Sequence, residues 1–131
     1  MISSTAVTLL SLSLLITFVF SIGEKIVDIS SYQNWLKEHF KNTFVLPVLN
    51  LLFYLIIILE LISSMLLLYG LYELIRFENF QFVYLGGIAS FICFLILLIG
   101  QRIAKDYQST ANLMIYILVS IASIYLSEMA L

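Results

Sequence analysis

The sequence predicts an all-α membrane protein: four transmembrane helices in an antiparallel bundle, with a short interfacial amphipathic helix between the first two. Three observations carry this expectation. The composition is 63% hydrophobic and only 11% charged, against about 25% charged in an ordinary soluble domain, and the mean hydropathy is +1.11. Residues 44–72 read FVLPVLNLLFYLIIILELISSMLLLYGLY, with Glu60 as the single charge, which is long enough to cross a hydrocarbon core about 30 Å thick. Comparable apolar runs precede and follow it, separated by polar segments. The 131 residues are expected to form one transmembrane domain.

Span one is expected over residues 4–22. No Lys or Arg precedes Lys25, and no small-x-small cleavage site is evident, so the segment reads as a retained span rather than a secretory signal. Its hydroxyls Ser13, Thr17 and Ser21 share a side with Glu24 and Asp28. That side is expected to face other helices, where small polar residues allow close approach.

Residues 23–43 are too polar to span. Tyr32, Trp35, Leu36 and Phe40 recur at helical spacing opposite Gln33, Lys37, Glu38 and Lys41. The pattern suits a helix over 31–42 lying in the headgroup region, with its rings in the apolar phase. A lid over a pocket is the sharper reading of the same face.

Span two, 44–72, opens with Pro47 in its first turn, where a missing N–H is harmless. Phe53, Ile56, Glu60, Ser63, Ser64 and Leu67 share one face. The connection over 73–81 is short, so spans two and three are antiparallel neighbours. Span three, 82–100, places Gly86, Ser90, Cys93, Leu97 and Gly100 along a groove of small residues suited to helix contact. After a loop carrying Gln101, Arg102, Lys105, Asp106 and Tyr107, span four covers 111–126. Its stripe of Asn112, Tyr116, Ser120, Ser123 and Ser127 is expected to face the bundle.

Five of the six basic side chains lie in the first and third connections, and Arg76 alone in the second. The positive-inside rule places those two loops in the cytoplasm and both termini outside.

Composition also excludes several functions. A net charge of −2 without like-charge blocks gives no support to a nucleic-acid partner. One cysteine, Cys93, forms no internal disulfide or CxxC pair, and with the single His39 it cannot complete a zinc site. No nucleophile elbow, phosphate loop, haem-attachment motif or EF-hand is present. The chain therefore shows no complete catalytic set.

The candidate binding residues are Glu60, Ser63, Ser64, Lys25, Arg102, Trp35 and Tyr116. A lone carboxylate at the bilayer centre costs about 2.5–3.5 kcal/mol on insertion scales. Glu60 is therefore expected to be neutral or paired, bonded to Ser63 or Ser64 one turn on or to a hydroxyl of span four, and Lys25 is expected to snorkel, to pair with Asp28 or Glu24, or to point towards Glu60 at the bundle mouth. Glu60 either locks span two to span one or four, or takes part in proton transfer, binds a cation, or hydrogen-bonds a quinone or another polar head group. Lys25, Arg102, Lys105 and Trp35 are expected at one end of the bundle, either as a basic, aromatic-lidded mouth or as an ordinary charged rim.

Phe20-Ser21-Ile22-Gly23-Glu24-Lys25, Ile58-Leu59-Glu60-Leu61, Leu68-Tyr69-Gly70-Leu71 and Gly100-Gln101-Arg102 together resemble the DoxX-like superfamily of small bacterial four-helix membrane proteins, which includes the DoxX, DoxD and MauE groups. The resemblance implies a four-helix bundle in the bacterial inner membrane, associated with membrane redox chemistry through quinone-coupled sulfur oxidation or with enzyme maturation. It assigns the family's positions to Lys25, Glu60 and Arg102. The absence of a cysteine pair departs from redox-type relatives. The leading expectation is a small accessory subunit that contacts the lipid bilayer and either other membrane proteins or further copies of itself. The alternatives are a membrane oxidoreductase component holding a quinone or lipid-like ligand, and a small transporter subunit.

Overall fold

The computed structural model describes residues 2–131, with side chains from residue 5 onward. Five helices form in order: α1 (Ile2–Val27), α2 (Ile29–His39), α3 (Leu49–Phe77), α4 (Gln81–Ile103) and α5 (Tyr107–Ala130), with a single 3-10 turn at Leu46–Val48 leading into α3. α1, α3, α4 and α5 are each long and apolar enough to cross a membrane. They form a closed ring in which α1 packs on α3, α3 on α4, α4 on α5 and α5 back on α1. Successive long helices reverse direction, so every neighbour in the ring is antiparallel. The Phe18 and Phe94 rings stack at 5.0 Å, joining α1 and α4 across the diagonal.

α1, α4 and α5 extend past both limits expected for their spans, whereas α3 starts at Leu49 rather than 44, after a turn and the 3-10 segment, and overruns only its far limit. α3 runs on to Phe77 and α1 to Val27, because Glu, Leu, Lys and Arg are good helix formers whether or not they sit in hydrocarbon. α4 likewise runs to Ile103, and α5 fills 107–130. α3 ends through Glu78, whose left-handed backbone (φ 52°) lets the Asn79 N–H reach the Glu73 carbonyl at 3.3 Å. Lys105 (φ 60°) plays the same part after α4, and the Asp106 N–H donates to the Gln101 carbonyl at 3.0 Å. Asp28 and Asp106 cap α2 and α5 by accepting from the backbone N–H groups of Ser31 and Ser109. α2 occupies 29–39 rather than 31–42.

The face of α3 is close to the one expected: Phe53, Ile56, Glu60, Ser63 and Leu67 are buried, and Ser64 at its edge is half-buried. The groove on α4 is buried at Gly86, Ser90 and Cys93. On α5 the stripe divides, with Ser120, Ser123 and Ser127 buried and Asn112 and Tyr116 exposed. α1 presents a different face from the one expected. Val7, Ser11, Leu14, Phe18, Ile22 and Lys25 point inward, while Ser13 is exposed and Thr17 only partly covered. The Ser13 and Thr17 hydroxyls donate to the carbonyls of Leu9 and Ser13, each at 2.9 Å. A hydroxyl satisfied by its own helix has no need to face a protein partner.

At the end of the bundle holding the α3–α4 connection, backbones touch. A Cβ built on Gly70 would lie 2.6 Å from Val83 N, and one on Gly86 would lie 2.9 Å from Leu67 Cδ2. Val7, Leu74 and Val83, with Phe80 and Leu126 against them, close this end. A larger cluster that includes Leu14, Phe18, Leu67, Cys93 and Phe94 fills the middle.

Candidate ligand cavity

The opposite end holds a cavity of about 310 Å³. Its walls are the first two turns of α3 (Leu49, Leu52, Phe53, Ile56) and the last turns of α4 (Ile96, Leu97, Ile99, Gly100, Gln101, Ile103). α2 covers it with Tyr32, Trp35 and Leu36, and Phe40 and Val45 complete the cover. The lining is almost wholly apolar, and Lys25 is the only charged residue among the described lining residues.

The lid forms because α2 is amphipathic at helical period. Its aromatic edge has no inner layer to pack on and rests across the gap between α3 and α4. Tyr32 lies 5.7 Å from both Trp35 and Phe53, ring centre to ring centre, and Trp35 stacks on His39 at 4.8 Å. His39 ties the end of α2 to the α4–α5 side of the molecule. Its Nε2 is 2.9 Å from Gln101 Oε1 and 3.6 Å from Asp106 Oδ2. The Asp106 carboxyl is held below the usual carboxylate range, first by the Ser109 backbone N–H, then by the Ser109 hydroxyl, with His39 adding to both. Asp28, at the start of the lid, is lowered in the same way by the Ser31 hydroxyl and backbone N–H.

Lys25 sits in the last turn of α1. Its Nζ lies 2.9 Å from Glu60 Oε1 and donates to Ser21 Oγ at 2.6 Å. The two side chains of the ion pair are 8% and 1% exposed. The contact is close, but its angles are not those of a directed hydrogen bond, so Glu60 Oε1 keeps unused accepting capacity. Above the ammonium, the Tyr32 ring centre stands at 5.5 Å. Burial pushes the Tyr32 phenol above its ordinary value, a rise that Lys25 opposes and Glu60 supports. Tyr32 thus stays an uncharged donor at neutral pH.

The candidate residues are only partly brought together. Lys25, Glu60 and Trp35 belong to the cavity or directly behind it. Ser63 and Ser64 stand one turn from Glu60, yet neither hydroxyl makes a hydrogen bond, so the partner of Glu60 is Lys25 rather than a serine. Arg102 shares this end of the bundle but is exposed, with its guanidinium 5.3 Å from the Tyr107 ring centre, turned away from the cavity. Tyr116 is 41% exposed and packs on Phe94 at 5.6 Å, in the middle of the bundle rather than at its mouth. The His39–Gln101 latch has no signature in the sequence. The two residues are 62 positions apart, and no local pattern links them. Among the described residues, no group of three or more His, Cys, Asp or Glu side chains is arranged to hold a metal ion.

Comparison of the chain with protein-family models, with characterised proteins and with solved structures finds no match.

Proposed function

We propose that this chain is a DoxX-like protein of the bacterial inner membrane whose bundle holds a lipid-like ligand, with a quinone as the favoured class. The observation that carries the reading is the aromatic-lidded apolar cavity reaching a buried Lys25–Glu60 pair. Ligand sites are concave, mostly apolar and furnished with a few placed polar groups, and an ionisable pair inside a membrane bundle marks a functional site by default. Lys25 has three N–H donors. One is given to Ser21 Oγ, while Glu60 answers the charge at 2.9 Å without a directed hydrogen bond, which leaves donor capacity for a ligand oxygen. Tyr32, Trp35 and Gln101 supply further polar tips around an apolar chamber. The cavity does not conflict with an accessory role, since a subunit of a membrane complex can hold a ligand for its partner.

The test is extraction of the purified protein with organic solvent, followed by mass spectrometry. One prenyl or acyl amphiphile is expected, enriched well above bulk lipid. It should be lost from Gly100→Phe, which fills the cavity from a position where an added Cβ meets only Phe40 Cζ at 3.8 Å. Extracts that contain only bulk lipid, identical for the two proteins, would overturn the reading. Orientation is tested separately with Ser31→Cys on the exposed side of α2, which is expected to resist an impermeant thiol reagent added from outside the cell.

A further inference from the structure

Lys25 is the only charged residue among the described residues lining the cavity, and its charge is already answered. Glu60, which is not among the lining residues, places Oε1 2.9 Å from the ammonium, and Ser21 Oγ accepts at 2.6 Å. Viewed from the chamber, the polar end is a net-neutral pair that still offers a donor. We infer that the cavity selects an amphiphile whose head group is uncharged and accepts a hydrogen bond, and that it rejects both anionic and cationic heads of the same size. The inference rests on the ligand-holding role proposed above and specifies the chemistry of its ligand.

The physical argument is one of desolvation. An ion leaving water for an apolar chamber loses several kcal/mol of hydration, and it recovers that only against an uncompensated opposite charge. A carboxylate head beside Lys25 would meet the field of an ammonium cancelled by Glu60. An ammonium head would meet Lys25 before it met Glu60. A carbonyl or hydroxyl oxygen loses much less on leaving water and gains a charge-assisted hydrogen bond from Lys25. The Tyr32 ring above the ammonium and the Phe53 ring beside it favour a flat or slender head.

Trp35 is the only tryptophan in the chain and lies in the lid against the cavity, so its fluorescence reports occupancy. The experiment titrates the full chain, in nanodiscs of zwitterionic phosphatidylcholine, with a fatty alcohol, a fatty acid and a fatty amine of one chain length. The pH is one at which the acid and the amine are both ionised. The alcohol is expected to bind at least about tenfold more tightly than either ion, as a single uncompensated charge implies. Glu60→Gln removes the compensating charge and should reverse the order, with the acid binding more tightly than the alcohol. A fatty acid or a fatty amine that equals or exceeds the alcohol in the unaltered protein overturns the neutral-head inference while leaving the ligand cavity standing. No saturable response to any of the three overturns the cavity reading itself. The comparison in the unaltered protein is decisive even if Glu60→Gln fails to fold.

Discussion

At the end of the bundle that carries the α3–α4 connection, these two helices meet backbone to backbone, with Gly70 against Val83 and Gly86 against Leu67. At the opposite end the same two helices stand apart around a cavity of about 310 Å³. There the contact passes through large side chains (Phe53, Trp35, Phe40) and a lid held by one histidine. Small residues fix distance because they leave nothing to move, whereas long side chains across a gap can be displaced. One end of the molecule is therefore a clamp and the other an adjustable chamber, and the substitutions below probe the difference.

The largest effect is expected at the ion pair behind the chamber. Removing one partner, Lys25→Met or Glu60→Leu, leaves a buried charge unanswered and should cost about 3–5 kcal/mol. The double variant should recover most of that loss, because well-packed apolar residues often replace a buried pair without penalty. Thermal unfolding in detergent reads both, and a double variant no more stable than the singles would show that the pair is not a closed unit. Next comes the clamp. Gly70→Ala puts a methyl group 2.6 Å from a backbone nitrogen and should cost about 1–3 kcal/mol by overpacking. Gly23→Ala meets nothing within 4 Å and should gain up to about 1 kcal/mol from helix propensity. Equal shifts for the two glycines would erase the contrast between the ends.

A smaller and local effect is expected for His39→Ala. The loss of its bond to Gln101 should cost about 1 kcal/mol, felt in α2 alone. Amide exchange should quicken in 29–39 while α3 and α4 remain protected. The smallest effect is one of pH. Asp28 and Asp106 are both held below the usual carboxylate range in the folded protein. A depressed folded value means that their stabilisation is complete above the unfolded value of about 4 and fades as pH falls through the folded one. The starts of the lid and of α5 should therefore exchange faster in acid. Asp28→Asn keeps an accepting cap and should remove the lid's share of that dependence.

Much of this architecture was legible in the sequence, because a bilayer permits few ways to bury a backbone. The number of spans, their alternation and the inward face of α3 followed from hydropathy and from the spacing around Glu60. The face of α1 did not. In a membrane helix Ser13 and Thr17 can satisfy themselves on the preceding turn, so a stripe of hydroxyls does not mark the packed side. The amphipathic character of α2 was readable, and so was the possibility that it forms a lid, but the latch that holds it was not. Ser63 and Ser64 were within reach of Glu60 by spacing, yet the charge on Lys25 outweighs a neutral hydroxyl as a partner for a buried carboxylate. Arg102 occupies the right end of the bundle. Sequence gives a residue's depth more readily than its direction, and its guanidinium turns outward to Tyr107.

The Lys25–Glu60 contact also bears on how the chain assembles in the bilayer. It joins the last turn of the first span to the middle of the second, two segments that are made at different times. While α1 is alone, its lysine can reach the headgroups through a flexible stem. When α3 arrives, its carboxylate has no such escape from the hydrocarbon. A pair that joins the end of α1 to the inside of α3 therefore ties the depth and the rotation of the second span to those of the first.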